Sequence, residues 1–185
     1  MIRFLSAAAA AAALLTSHAG AQQRAPGEGP LDISADRGEV FDEEGRVVYT
    51  GDVNVVRGAT RLRADRVEAF FNRADGGGFS DLERIIATGE VFYVTEGEIG
   101  RGDRGVYDLA EGRITLTGSV VLTQGCNVST GERLEVDLNG GAARLTGGGE
   151  NQRVRSVFFD DDDAARQRDC PPPTIPGRGP VPFEG

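Results

Sequence analysis

Apolar residues recur at every second position over most of the chain between residues 31 and 159. The pattern is clearest when positions are counted from three arginines, Arg66, Arg104 and Arg133. The first, third and fifth positions after them are mostly apolar and read Val67, Ala69, Phe71; Gly105, Tyr107, Leu109; and Leu134, Val136, Leu138. This alternation places the side chains on one face of a β-strand. Since no stretch keeps a helical period, the pattern predicts an all-β domain.

Two short motifs repeat along the same region. A small residue, an acid and an arginine recur as Ala35-Asp36-Arg37, Ala64-Asp65-Arg66, Gly102-Asp103-Arg104 and Gly131-Glu132-Arg133. A Thr-Gly pair recurs as Thr50-Gly51, Thr88-Gly89, Thr117-Gly118 and Thr146-Gly147. The arginines are spaced by 29, 38 and 29 residues and the glycines by 38, 29 and 29. One insertion near residues 72–81 explains both irregular spacings.

The alternation continues through each Thr-Gly pair. Apolar residues lie two and four positions on either side of the glycine, as Val47, Tyr49, Val53, Val55; Ile85, Ala87, Val91, Tyr93; and Ile114, Leu116, Val120, Leu122. Because a turn would usually reset the alternation, we predict long strands that bend at glycines 51, 89 and 118. With turn signals at residues 42–45, 110–112 and 139–141, the predicted strands lie near 31–41, 46–57, 60–71, 82–95, 98–109, 113–124, 127–138, 142–147 and 152–159.

The two ends of the chain differ from the repeated region. Residues 1–21 combine Arg3, an apolar run and a small-residue ending, which is typical of a cleaved secretory signal peptide. Residues 22–30 predict a flexible leader, residues 31–159 a single β domain, and residues 160–185 an acidic, proline-rich disordered tail. The aspartates at 160–163 are interpreted as a solvated run rather than a metal site. We therefore expect a soluble, exported protein.

Composition excludes several classes of function. The one histidine, His18, lies in the predicted signal peptide, so the mature chain offers no imidazole for a catalytic triad or a metal site. The formal net charge of −9 argues against nucleic acid as a partner. The repeated acids could be catalytic carboxylates, but one acid in every repeat is typical of a structural ladder. We expect no enzyme activity and no cofactor, and we predict that the repeated arginines form cross-strand ion pairs with Glu39, Glu68 and Glu135.

The sequence contains two cysteines, Cys126 beside a turn and Cys170 in the tail. An oxidising compartment permits a disulfide between them, which would tie the tail to the later strands of the domain. The sequence does not fix their separation in space, so a bridge and two free thiols are both open.

The apolar face is the feature with the most functional potential. If the bent sheet folds back on itself, this face encloses an interior that is either an ordinary core or an apolar trough. Small residues on the face favour a trough because they leave space, and they are Gly38, Ala69, Ala87 and Gly105. The repeated region also begins and ends as a strand, around Leu31 and Ile33 and around Val154 and Val157. Open edges of this kind favour pairing with another chain.

Four segments carry a resemblance to a known family: LDISADRGEV, TGDVNVVRGATRLRADRVEAFF, RGDRGVYDLAEGRITLTGSVVLTQG and GERLEVDLNGGAARLTGGG. Together, over about residues 31–157, they resemble the OstA-like, or LptA, family of periplasmic lipopolysaccharide-transport proteins. The resemblance implies a twisted β-jellyroll of long bent antiparallel strands that opens into a V-shaped groove. It also implies a periplasmic carrier that binds the acyl chains of lipid A and passes lipopolysaccharide from the inner to the outer membrane. Its partners would be the inner-membrane and outer-membrane transport components and further copies of the chain, joined head to tail by edge strands.

The family's interior contacts fall on six residues of this sequence: Leu31, Ile33, Val67, Ala69, Tyr107 and Leu109. The alternation alone adds eight candidates for the groove lining: Val53, Val55, Val91, Tyr93, Val120, Leu122, Leu134 and Val136. The family pattern does not require the insertion, the cysteines or the tail. The alternatives are a related scaffold domain of the same transport bridge and a structural β-filament that binds no lipid.

Overall fold

The structure is a computed structural model of the 185-residue chain, and it describes residues 29–75, 77–95, 97–148, 153–159, 174–175 and 179–180. The strands are β1 (Leu31–Ser34), β2 (Arg37–Phe41), β3 (Arg46–Arg57), β4 (Thr60–Arg73), β5 (Phe79–Val94), β6 (Glu98–Asp108), β7 (Arg113–Gln124), β8 (Asn127–Asp137), β9 (Ala142–Thr146), β10 (Arg155–Val157), β11 (Thr174–Ile175) and β12 (Gly179–Pro180). A 3-10 turn spans Asp42–Glu44. Within these ranges, no helix has the length and apolar character needed to cross a membrane. The predicted signal peptide and most of the predicted tail lie outside the described residues.

Ten strands form one antiparallel sheet, in which each long strand from β3 to β8 pairs with the next along the chain. On one side of β3 lie both β1 and β2, and on one side of β8 lie both β9 and β10. The sheet stays open rather than closing into a barrel, so these four short strands form its two edges. The predicted all-β fold of long antiparallel strands is confirmed.

The strands β3, β5 and β7 pass through their Thr-Gly pairs without ending. At each pair the register with the neighbouring strands shifts, as it does between Thr50 and Val53. The glycine and the residue after it both have positive φ, which is 82° at Gly51 and 42° at Asp52. These features are those of a β-bulge, which bends a strand without ending it. The predicted bends at glycines 51, 89 and 118 are therefore confirmed.

The line of bulges divides the sheet into two halves. Half A contains the segments 31–34, 53–57, 60–64, 91–94, 98–102, 120–124, 127–131 and 155–157. Half B contains the segments 37–41, 46–50, 66–73, 79–88, 104–108, 113–117, 133–137 and 142–146. We call the faces that the halves turn toward each other their inner faces, and the opposite ones their outer faces. The apolar positions of the repeat lie on the inner faces and form one core.

In three of the four repeats, the acid lies against the glycine of a neighbouring strand. A Cβ built on Gly118 would lie 2.5 Å from Oδ2 of Asp103, and one built on Gly89 would lie 2.5 Å from Oδ2 of Asp65. Asp36 is next to Gly51 in the same way, and its N–H donates to the Gly51 carbonyl oxygen at 3.0 Å. The two repeated motifs are thus the two sides of one contact along the bend, which supports a structural role for these acids.

The structure differs from the predicted strand boundaries in four places. The predicted strand 31–41 is broken at Ala35 and Asp36, because β1 pairs with the half A part of β3 and β2 with its half B part. The insertion lengthens the β4–β5 hairpin, where the rings of Phe71 and Phe79 stack at 4.9 Å. The predicted strand 152–159 is ordered as a strand only over Arg155–Val157. In the predicted disordered tail, β11 pairs with β12.

The predicted cross-strand ion pairs are wrong for two of the repeated arginines. Arg66 contacts Glu68 at 3.1 Å, and Arg133 contacts Glu135 at 2.8 Å, so both pairs run along a single strand. Residues two apart in a strand share a face, which allows this contact. The cross-strand partner of Glu68 is instead Arg46 of β3, at 3.0 Å.

The ion pairs of Glu68 predict a pH-dependent contribution to stability. Burial raises the pKa of its carboxyl, but hydrogen bonds from Arg66 and Arg46 outweigh burial and the net pKa is lowered from 4.5. The contribution is therefore present above about pH 4.5 and is lost as the pH falls through the folded-state pKa. We expect Glu68→Gln to lower the free energy of unfolding by at most about 1 kcal/mol at pH 7 and by nothing at about pH 2. Urea denaturation at both pH values measures this, and an equal loss at both would contradict it.

Candidate functional site

The inner faces carry apolar rows that run across the strands. The rows of half B are Val47, Ala69, Ile85, Tyr107, Ile114, Val136, Ala143 and Tyr49, Val67, Ala87, Gly105, Leu116, Leu134, Leu145. The rows of half A are Ile33, Val55, Leu62, Tyr93, Gly100, Leu122 and Val53, Ala64, Val91, Gly102, Val120, Gly131. The long axis of the interior is therefore perpendicular to the strands and leads from one sheet edge to the other.

All fourteen predicted groove residues lie on the inner faces. Eleven are buried, and Leu31, Ile33 and Leu109 are partly buried against the core. Their role as lipid contacts stays a prediction. The same core also contains six residues outside the predicted set: Leu62, Ala64, Ile85, Ala87, Ile114 and Leu116. In the sequence, four of these residues lie an even number of positions from the glycine of a Thr-Gly pair, and Leu62 and Ala64 alternate with arginine residues. That alternation is enough to predict that their side chains face the interior.

The interior near the bend is filled by its own side chains. A Cβ built on Gly100 of half A would lie 2.9 Å from Cδ1 of Leu116 and 3.3 Å from Cδ2 of Leu134, which are both in half B. A Cβ on Gly105 would lie 2.9 Å from Cγ1 of Val91. The prediction that small residues leave space is therefore wrong at Gly105, because side chains of other strands occupy that volume. A ligand can enter this interior only if the two halves move apart.

The rim of the interior farthest from the bend is polar. Arg57 of half A crosses the interior, and its Nη1 donates to the hydroxyl of Tyr107 in half B at 3.5 Å. Burial, with the nearby Glu98 carboxylate, raises the pKa of Tyr93 well above its usual value, so this phenol stays neutral. Within the described part of the chain, Arg57 Nε, Thr60 Oγ1 and Glu98 Oε2 are buried without a hydrogen-bond partner. Buried unpaired polar atoms are costly, so the rim is where separating the halves costs least.

The apolar rows of half B end at solvent on both edges of the sheet, whereas the half A row through Leu122 continues into the polar residues Ser129 and Ser156. Val40 of β2 is 63% exposed, and Ala143 of β9 is also exposed. The predicted edge residues Leu31 and Ile33 are half-buried in β1, whereas Val154 and Val157 are 42% and 41% exposed at the β10 edge. Neither edge is covered by another strand of the described chain.

Cys126 lies in the turn between β7 and β8 and is disulfide-bonded. The predicted partner, Cys170, lies outside the described residues, so the pairing stays a prediction.

Comparisons with known proteins agree with this architecture. A family model described as LptA/(LptD N-terminal domain) LPS transport protein matches residues 32–142. An uncharacterized protein of Rhizobium meliloti (strain 1021) is 32% identical over 130 residues, which cover 68% of this chain and 70% of that protein. The fold is similar to the crystal structure of LptH, the LptA homologous periplasmic component of the lipopolysaccharide transport device from Pseudomonas aeruginosa. The TM-score is 0.62 at 21% identity, over 71% of this chain and 96% of that one. Since the family model spans more than half of the sequence, the chain belongs to the LptA/(LptD N-terminal domain) family of LPS transport proteins.

Proposed function

We propose that the protein is a periplasmic carrier that holds the acyl chains of lipid A between its two half-sheets. It would pass lipopolysaccharide toward the outer membrane as one unit of a head-to-tail bridge. The observation that supports this proposal is the continuity of the apolar rows of half B, which reach both uncovered edges of the sheet. A further copy paired at either edge would extend those rows into its own interior.

The free energy of acyl-chain burial is large enough to open the interior. Each methylene group removed from water contributes roughly 0.8 kcal/mol, so one chain of about twelve carbons contributes about 9 kcal/mol. The side chains that separate do not become exposed to water, because they exchange contacts with each other for contacts with the lipid. The cost of opening is then mostly that of the rim, where Arg57 contacts Tyr107. A chain that slides along the rows keeps its burial, so translation costs little.

A photo-crosslinking amino acid at Tyr107 is expected to capture lipopolysaccharide, because this side chain faces the interior at the rim. The matched control is Val106, the adjacent residue of β6, which is half-exposed on the outer face. Arg104, an exposed residue with the orientation of Val106, serves as a second control. Gel shifts of the purified, irradiated protein measure the capture. Equal labelling at positions 107 and 106 would contradict binding between the halves.

Assembly through the β10 edge is expected to weaken when a backbone N–H of β10 that faces away from β8 is removed. The carbonyl of Arg155 faces β8, where Thr130 Oγ1 lies 3.5 Å away, so by strand alternation the N–H of Ser156 faces the open edge. Ser156→Pro removes that donor while β10 can stay paired, which should weaken oligomers without unfolding the monomer. Ser156→Ala is the control for the lost hydrogen bond between the hydroxyls of Ser156 and Ser129.

Gel filtration over a range of concentrations tests this second prediction. Val157→Pro should act differently from Ser156→Pro, because its amide faces β8 and its loss detaches β10 from the domain. An oligomer size that Ser156→Pro leaves unchanged would exclude strand addition at this edge.

A structural β-filament is the second candidate, and the filled interior favours it. Such a protein would pair through its edges but would have no reason to open. Incubation with lipopolysaccharide followed by gel filtration separates the two functions. A carrier migrates with the lipid, whereas a filament forms oligomers that contain none.

A further inference from the structure

A second apolar cluster lies on the outer face of half A, away from the core. Phe92 and Val94 alternate with the core residue Tyr93 along β5, so they point to the opposite side of the sheet. Ile99 pairs with Val94 across β5 and β6 and shares that side. The three side chains are only 5%, 2% and 8% exposed. The outer face of a single bent sheet is normally in contact with water, so this burial needs a cover.

The surroundings of the cluster are also screened from water. Arg63 of β4 and Arg101 of β6 lie on the same face as Phe92. Both pair with Phe92 of β5, one from each neighbouring strand. Their Nε atoms and Oδ1 of Asn54 are buried without a hydrogen-bond partner in the described ranges. Arginine stems alone would cover Phe92 while leaving their own guanidinium groups in water. Arg101 follows this arrangement in part, since its side chain is 38% exposed and its Nη2 contacts Glu90 at 3.2 Å. The buried Nε of each arginine indicates that a further group lies against this part of the face.

The end of the domain and the oxidised cysteine point to the same place. Beyond β10, the N–H of Phe159 donates to Oδ1 of Asn127 at 3.0 Å, so the chain leaves the domain beside the β7–β8 turn. Cys126 is in that turn and is disulfide-bonded, and the sequence has one other cysteine, Cys170. A bridge between them would return the chain to the point where it left, with residues 171–185 still to follow.

Residues 171–185 have the length and the composition to cover the cluster. From the β7–β8 turn to β5 is a distance of three strand spacings, or about 15 Å. Because β11 pairs antiparallel with β12, the segment folds back on itself there, and the eight residues 171–173 and 181–185 that flank this pair would reach about 25 Å in a polyproline conformation. The segment contains six prolines together with Ile175, Val181 and Phe183. Proline-rich chains dock on aromatic surfaces at a low entropic cost. The preceding aspartates at 160–163 complement the arginines of this face.

We propose that the C-terminal segment 160–185, tied down by a Cys126–Cys170 disulfide, lies across the outer face of half A and covers Phe92, Val94 and Ile99. Reduction of the disulfide would release the segment and expose an apolar patch on the outer face of β5 and β6. This cover is independent of lipid binding in the interior, since it concerns the opposite face of the same strands.

The absence of tryptophan from the sequence allows a direct test. Phe92→Trp in residues 22–185 places one reporter under the proposed cover. Its emission wavelength and its quenching by acrylamide are compared with those of Val40→Trp, an exposed control, and Tyr93→Trp, an interior control. In the oxidised chain the reporter at position 92 should resemble the interior control. After reduction, in Cys170→Ser, or in a chain that ends at Phe159, it should move to the values of the exposed control.

A chain without either cysteine, Cys126→Ser/Cys170→Ser, shows whether the reductant acts through the disulfide. If it does, the reductant should not change the emission or quenching of the reporter in this variant. Far-ultraviolet circular dichroism establishes that each variant is folded. Reduction of the chain of residues 22–185 that carries Phe92→Trp tests the cover without a further substitution or truncation. A reporter that stays protected in the chain ending at Phe159 would overturn the proposal and assign the cover to the flanking arginines. Protection that survives Cys170→Ser would overturn the role of the disulfide.

Discussion

Gly118→Ala is expected to lower the free energy of unfolding by about 3 kcal/mol, which is much more than the loss of one hydrogen atom suggests. Gly118 has φ of 81°, a conformation that costs other residues about 1–2 kcal/mol. In addition, the new Cβ would lie 2.5 Å from Oδ2 of Asp103, and overpacking of this kind costs typically 1–3 kcal/mol. Urea denaturation followed by circular dichroism measures the change.

Gly125→Ala is the matched control for the backbone part of this effect. Gly125 has φ of 58°, but a Cβ there would have nothing within 4 Å. Its substitution should therefore cost only about 1 kcal/mol. Asp103→Ala should relieve part of the crowding in Gly118→Ala, so the double variant should be more stable than the sum of the single losses predicts. Equal losses at Gly118 and Gly125 would show that the acid–glycine contact contributes nothing.

The long strands and their bends could be predicted because both depend on residues that are close together in the sequence. Alternation that survives a glycine requires the chain to continue in the same direction, and Gly51, Gly89 and Gly118 meet that condition. The insertion could be placed because it shifts two repeated motifs by the same amount. These signals depend only on neighbours along the chain.

The features that sequence reasoning missed depend on which residues meet across the fold. The sequence indicates space at Gly105, but Val91 and Leu116 fill that position from other strands. Ala35 and Asp36 interrupt the first strand because β3 is bent, and the strand beside it must change from one half to the other. The acid and the glycine of the two motifs were visible as separate columns, and only the register of the sheet brings them together.

In the proposed carrier, the filled interior would be the closed, lipid-free state. A carrier that exposed its apolar rows before lipid arrived would present a large apolar surface to the periplasm and would aggregate. In the proposed carrier, packing of the halves against each other near Leu116, with a polar and poorly paired rim at Arg57, would keep that surface covered until acyl chains replace it. Closure is then a property of a lipid-free carrier rather than an argument against one.

Leu116→Ala tests this view, because its expected effects on stability and on lipid binding have opposite signs. Leu116 is fully buried and packs across the interior against Gly100. Truncation of a buried leucine costs about 3–5 kcal/mol through lost contacts and the cavity that remains. In a carrier, the lost contacts are among those that lipid must break, so the variant should unfold more easily but bind lipopolysaccharide at least as tightly as the unaltered protein.

The control for Leu116→Ala is Val106→Ala, which removes a half-exposed side chain from the outer face of the same half. It should change both stability and binding by little, at most about 1 kcal/mol. Stability comes from urea denaturation and affinity from titration with a fluorescent lipopolysaccharide, both below the denaturation midpoint of the weaker variant. If the affinity of Leu116→Ala falls together with its stability, the interior is an ordinary core, and the lipid must bind elsewhere on the protein.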